Sequence, residues 1–278
     1  MKNKGLIIFL IILLFICCFL LGGILYLGLS NRDGINFNFG FSQRVSNELI
    51  FEKTYEDIFE KINITSGASN IEIKESNDDT SKILIYGDKD LLNINDQKSL
   101  NIEYKYKSCI GICFNNRISR IEIYLPEEFN DEIIINNKYG DISVDRFNNS
   151  KIDIDSSYGD VRIKGAYEAK VKTSAGDVKI DYVTKAIVDN NYGDIKITDV
   201  LSYLDINNDC GDIEINSVNL DTNSTINNNL GDIKIRKTND IRIDASTSLG
   251  DEKVENNNYK SDIVLKITNS CGDIKVNN

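Results

Sequence analysis

Nine of the eighteen glycines are followed by aspartate, and eight of those pairs recur through the second half of the chain. They are Gly140-Asp141, Gly159-Asp160, Gly176-Asp177, Gly193-Asp194, Gly211-Asp212, Gly231-Asp232, Gly250-Asp251 and Gly272-Asp273, with gaps of 19, 17, 17, 18, 20, 19 and 22 residues. Carboxylates repeated in this way could do three kinds of chemistry. They could form a ladder for cations, although calcium-binding β-helix repeats carry a denser glycine and aspartate pattern. They could serve as acid and base on a carbohydrate, as in pectin-cleaving enzymes built of stacked β-coils. Against this, every repeat carries the same aspartate, and no cluster breaks the series as an active site should. Or each carboxylate could accept backbone N–H bonds at its own turn while the glycine supplies positive φ.

The third use is the expectation, so all sixteen residues are assigned to structural turns. Stacked about 4.8 Å apart, the carboxylates repel by about 1 kcal/mol per neighbouring pair even in water, and the turn bonds must offset this. The chain has no histidine, and no Ser or Cys has a visible base partner. Neither nucleophilic catalysis nor a zinc site is therefore expected. No catalytic residue, metal ligand or cofactor is assigned, and the chain is read as a non-enzyme. A carbohydrate-active β-helix enzyme acting on envelope polysaccharide is the alternative.

The elements that hold these turns show a period of two. Two residues after each glycine stand Ile142, Val161, Val178, Ile195, Ile213, Ile233, Glu252 and Ile274, and four after stand Val144, Ile163, Ile180, Ile197, Ile215, Ile235, Val254 and Val276. The residue between them is always polar and usually lysine, so one face is core and the other water. Five before the glycines the apolar positions continue, from Ile135 to Ile267. Three before stand Asn137, Ser156, Thr173, Asn190, Asn208, Asn228, Thr247 and Asn269, placed inward by parity and read as a hydrogen-bonded ladder beneath the turns. Each unit reads strand, Gly-Asp turn, strand, then a variable connection such as Lys164 to Tyr167. A unit of 17–22 residues cannot bury its strands alone, so the units must stack. The expected fold is all-β, a two-sheet β-solenoid following one N-terminal transmembrane helix.

Residues 6–29 contain no charge, and a helix there would run roughly 36 Å, enough to span a bilayer. Lys2 and Lys4 precede it, which places residues 1–5 in the cytoplasm and the C-terminal part outside a single-pass cell-membrane anchor. Residues 30–54 read as a juxtamembrane linker, 55–136 as irregular first coils that cap the solenoid, and 137–278 as the regular repeat. Tyr86-Gly87-Asp88 reads as a ninth, poorly framed copy of the turn. A net charge of −11 argues against nucleic acid as a partner. Cys109 and Cys113 could close a small disulfide loop in an oxidising exterior, or remain free thiols. After Val276 only Asn277 and Asn278 remain, so the last coil is expected to leave open strand edges where a partner docks or two copies meet end to end.

The segment from Ile121 to Glu128 carries the only proline, Pro126, and is followed by an isoleucine-rich strand and serial Tyr-Gly-Asp-Ile copies. In this order the chain resembles the DUF4097 family of candidate adhesins, over roughly residues 55–278. The resemblance implies a β-solenoid, often membrane-tethered in bacteria and linked with envelope stress, that acts as a binding, adhesin-like or scaffold module toward an envelope protein or polymer. It supplies no catalytic residues. Glu252, at a core position, departs from the pattern.

Overall fold

A computed structural model describes residues 44–277 apart from 57, 58 and 106–116. The expected membrane span, the cytoplasmic tail, most of the linker, and Cys109 and Cys113 lie outside the described residues. Among those described, no helix is long and apolar enough to cross a membrane.

The first strands are β1 (Arg44–Val45), β2 (Leu49–Tyr55), β3 (Lys61–Ser66), β4 (Ser69–Glu75), β5 (Ser81–Tyr86), β6 (Leu92–Asp96), β7 (Ser99–Tyr104), β8 (Arg117–Leu125) and β9 (Glu132–Tyr139). The repeat supplies β10 (Ile142–Tyr158), β11 (Val161–Ala175), β12 (Val178–Tyr192), β13 (Ile195–Cys210), β14 (Ile213–Val218), β15 (Ser224–Leu230) and β16 (Ile233–Ile235). It ends with β17 (Arg242–Leu249), β18 (Glu252–Val254), β19 (Val264–Cys271) and β20 (Ile274–Val276). All twenty belong to one hydrogen-bonded sheet, in place of the two expected. The reason lies in the connections, which in β10 to β13 are strand and not loop. Lys164 to Tyr167 fall inside β11, and pairing runs on through them, with Arg146 opposite Gly165 and Phe147 opposite Ala166.

The coil bends without breaking its ladder because the inward parity slips. In β12 the buried residues are Val178, Ile180, Val183, Ala186, Val188 and Asn190. Two steps of three residues interrupt the steps of two, and at each slip two successive side chains face out: Asp181-Tyr182, then Thr184-Lys185. With the Gly-Asp turn, each coil has three corners. The interior is a continuous stack of Ile, Val, Leu and Ala, closed at one slip by the column Phe147, Ala166, Val183, Val200 and Val218.

The coils do not stack in chain order. From Gly140 to Gly231 each pairs with its successor, but β15 and β16 then pair with β19 and β20, and these in turn with β17 and β18. The Gly272 coil is inserted between the Gly231 and Gly250 coils. This corrects the expected open end: β19 and β20 are paired on both sides, and the outermost coil is the one holding Gly250. Its place at the edge accounts for Glu252, which occupies a core position in register yet is exposed because no coil covers it.

The other end mirrors this arrangement. The coil of β3 and β4 lies between that of β9 and β10 and that of β7 and β8. Antiparallel β6 covers β7, β5 covers β8, and β2 covers β5. Strands β1 and β2 thus fall within the segment read as linker. Tyr86-Gly87-Asp88 is not a ninth repeat turn: the eight glycines of positive φ are those of the repeat, and Asp88 instead caps the 3-10 turn Lys89–Leu91 by accepting from the Asp90 N–H at 3.1 Å.

Candidate binding surface

Along the Gly-Asp corner the eight glycines have φ between 114° and 153°. Each glycine also lies against the backbone of the neighbouring coil. A Cβ on Gly193 would sit 2.2 Å from the carbonyl oxygen of Gly176, so conformation and close approach both demand glycine. The glycine N–H donates to the carbonyl of the residue before the next glycine, as from Gly193 to Cys210 at 2.9 Å.

The aspartates differ from the expectation in one respect. Seven of the eight carboxylates accept a backbone N–H from the neighbouring coil and not from their own turn; Asp251, on the outermost coil, has no further coil to accept from. Asp141 accepts from Asp160 at 3.0 Å, Asp160 from Asp177 at 2.9 Å, Asp177 from Asp194 at 2.9 Å and Asp194 from Asp212 at 2.8 Å. The series continues through Asp232 and Asp273 to Asp251, each at 2.8 Å, and Asn70 Oδ1 heads it by accepting from the Asp141 N–H at 3.1 Å. Every link joins two coils, which offsets the like-charge repulsion. None of the eight carboxylates is in a salt bridge among the described residues. Among the described residues, no three His, Cys, Asp or Glu converge to hold a metal ion.

Beneath the corner the Asn column bridges glycine carbonyls. Asn228 Nδ2 donates to Gly211 at 3.2 Å and Gly231 at 3.1 Å, and Asn137 Nδ2 donates to Ser69 at 2.8 Å and Gly140 at 3.1 Å. Thr247 Oγ1 donates to the Gly272 carbonyl at 3.0 Å. These residues position the turns from inside: Asn137 and Asn228 are buried, and Thr247, on the outer coil, is half-buried.

On the outer side, the residues just before the glycines form a ridge. In stacking order they are Tyr139, Tyr158, Ala175, Tyr192, Cys210, Leu230, Cys271 and Leu249. Tyr158 is 53% exposed, Tyr192 63% and Leu249 70%, high values for side chains of this size. The rings of Tyr139 and Tyr158 stack at 5.2 Å with 5° between planes, following the coil spacing. Cys210 and Cys271 have Leu230 between them. Two coil steps, about 9.6 Å, exceed the reach of a disulfide. The corner thus presents an apolar ridge beside a file of carboxylates.

Sequence reading placed the turns and the inward Asn column but missed that the residues before the glycines project as a ridge. It also missed a second surface feature, where Arg146, Gly165 and Tyr182 occupy one column at an adjacent corner. A signal for it exists, since Gly165 is followed by alanine and does not fit the Gly-Asp series.

These features define a solenoid-like, all-β repeat protein whose repeated residues stack into continuous surface stripes. The chain belongs to the Toastrack DUF4097 family, whose model matches residues 59–277. Solved structures similar to it include a candidate adhesin from Bacteroides fragilis, at 19% identity over 84% of this chain and 99% of that one, TM-score 0.46. A candidate lipid-binding protein from Parabacteroides distasonis matches at 18% identity over 84% and 100% of the chains, TM-score 0.49. A candidate cell adhesion protein from Clostridium sporogenes matches at 17% identity over 81% and 98%, TM-score 0.31. No curated protein matches the chain.

Proposed function

We propose that the protein is a non-catalytic binding module of the cell envelope, held by the apolar segment 6–29 with its repeat domain outside the cytoplasm, and that its Gly-Asp corner meets an envelope polymer or protein. The carrying observation is the ridge. Five large side chains, Tyr139, Tyr158, Tyr192, Leu230 and Leu249, stand exposed along a file of eight coils that Ala175, Cys210 and Cys271 complete, directly beside carboxylates that make no salt bridge among the described residues. Contiguous exposed apolar surface of this kind marks interaction sites more often than it marks solvent-facing structure. The equivalence of the aspartates supports a non-catalytic role. Seven make the same bond to the next coil, and the eighth, Asp251, lacks it because no coil lies beyond it, so none is set apart as acid or base.

The test is retention of isolated envelope polymer by the full chain, compared with the double variant Tyr158→Ser, Tyr192→Ser. Retention is expected to fall at least fivefold while the melting temperature holds, and no reducing sugar should be released from the polymer. Equal retention by the two proteins would remove the ridge from the proposal, and sugar release would replace it with the enzyme reading. Protease added to intact, wall-stripped cells checks topology, because an outward domain is digested and an inward one protected.

A further inference from the structure

Away from the ridge, one place breaks the uniformity of the repeat. Arg146, Gly165 and Tyr182 are register partners in three consecutive coils. Gly165 lacks the positive φ of the turn glycines, so its conformation does not call for glycine. Space does. A Cβ there would meet Arg146 Cγ at 2.7 Å and Asn148 Oδ1 at 2.6 Å. With no side chain in the middle coil, Arg146 passes over it, and its guanidinium lies 4.6 Å from the centroid of the Tyr182 ring. The ring holds the guanidinium in one place at the surface.

Two nearby carboxylates are already engaged. Asp145 pairs with Lys164 at 2.5 Å, and Asp181 pairs with Arg162 at 3.3 Å. Asp199, next in the column, stands one coil beyond Tyr182. Among the described residues Arg146 itself makes no salt bridge, although the protein carries a net charge of −11. Beside it lies an open hollow of about 330 Å³ whose exposed apolar wall is Leu201 and Tyr182, over the buried Ala166 and Val183, with Asn148 and Thr184 as its neutral polar groups. An oriented guanidinium with free N–H groups matches an oxyanion. Apolar wall plus amide and hydroxyl matches the two-sided character of a sugar ring. The hollow is at the small end of ligand sites, enough for about one ring.

We infer that this hollow binds an anionic sugar residue of a polymer, with Arg146 on the acid group and the apolar wall under the ring. The assignment rests on the binding-module reading and names a ligand class for it. An acidic peptide would satisfy Arg146 but leaves the apolar wall without a ring to cover.

The experiment is calorimetric titration of the full chain with trigalacturonic acid, its neutral methyl ester, inorganic phosphate and tetra-aspartate. Trigalacturonate is expected to bind, with the ester at least tenfold weaker and the other two weaker still. Arg146→Gln should weaken trigalacturonate at least tenfold at an unchanged melting temperature, and Arg146→Lys should restore only part. Gly165→Leu, which fills the path of Arg146, should reproduce the loss. The inference is overturned if trigalacturonate fails to bind at millimolar concentration, if ester and acid bind equally, or if Arg146→Gln binds like the parent. Phosphate or tetra-aspartate binding as tightly as the uronate would overturn the saccharide assignment. Envelope-polymer retention separates the two readings. If the parent retains polymer and these titrations fail, the site falls and the module stands, whereas a parent that retains none removes both.

Discussion

Gly193→Ala tests the corner most directly. At φ 135° an L side chain is strained, and the new Cβ would lie 2.2 Å from the Gly176 carbonyl oxygen and 2.7 Å from its carbon. Both are backbone atoms of a paired strand and cannot swing aside, so the two coils must separate locally. The backbone conformation costs about 1–2 kcal/mol and the overpacking about 1–3 kcal/mol more, for a total of about 2–5 kcal/mol. In a domain of this size each kcal/mol lowers the melting temperature by about 2–4 °C, so a drop of about 4–20 °C is expected. Separation would also strain the bonds that join these two coils, from the Gly176 N–H to the Tyr192 carbonyl and from the Asp194 N–H to the Asp177 carboxylate, both at 2.9 Å. The assay is thermal denaturation of the full chain by circular dichroism, joined by amide exchange at the turns, because repeat stacks can melt in parts. Gly165→Ala is the control. Its φ is ordinary and the clash is with side chains, so a loss below about 1 kcal/mol is expected. Equal melting of Gly193→Ala and the parent would refute the claim that coil-to-coil backbone approach requires glycine.

Asp194→Ala removes the acceptor for the Asp212 N–H and should cost about 1 kcal/mol, whereas Asp194→Asn keeps an oxygen there and sheds a like charge. Thermal melts at low and high salt check this, and equal losses for the two variants would contradict it. The Asp96 carboxyl, bonded by Lys53 Nζ at 2.5 Å and the Tyr55 hydroxyl at 2.6 Å, is held below its ordinary range, chiefly by Lys53. A depressed carboxyl contributes stability above its unfolded value, about pH 4, and loses it as pH falls through the lower folded value. The stability gap between the parent and Asp96→Asn should therefore be full at pH 7 and close below about pH 4, as measured by denaturant midpoints. A gap constant with pH would show the pair to be irrelevant. Glu252→Ile should make the outer coil's edge apolar and drive self-association, read as a rise in mass by light scattering; an unchanged mass would show that Glu252 does not guard that edge.

Strand, turn and inward face were legible at nearly every repeat because they depend on local alternation and on residue types with few alternatives, Gly for positive φ and Ile or Val for the core. Stacking order was not legible. Each coil offers its neighbours nearly the same pattern, so any coil can follow any other, and only Glu252 marks the one that no further coil covers. The second and third corners were read as loops because a single parity slip, such as Ile180 to Val183, looks like a break in a strand when its neighbour is out of view. The aspartate bonds failed in a similar way. A turn motif read alone suggests bonds within itself, whereas the stack supplies a closer donor from the next coil. The site at Arg146 depends on three residues brought together by register alone, 19 and 17 positions apart, and no local pattern encodes that meeting.

The out-of-order coils bear on how the stack resists unravelling. In a solenoid stacked in chain order, the outermost coil is paired on one side only, and fraying at the end proceeds inward one coil at a time. Here β19 and β20 follow β17 and β18 in the chain but lie inside them, paired on both faces. The exposed outer coil is therefore tethered at both of its ends to coils that are locked. Its edge is also covered in part: Asn257 lends its amide to the backbone of Ile243, accepting from the N–H at 2.9 Å and donating to the carbonyl at 2.7 Å. The opposite end uses the same order, with β3 and β4 inside β7 and β8, and adds an antiparallel cover. Opening the outer Gly250 coil thus exposes a loop of chain and frees no terminal strand, and the closure entropy of that loop favours its return. A surface stripe built from one residue per coil keeps its spacing only while all coils stay in register, so this order serves the ridge as much as the core.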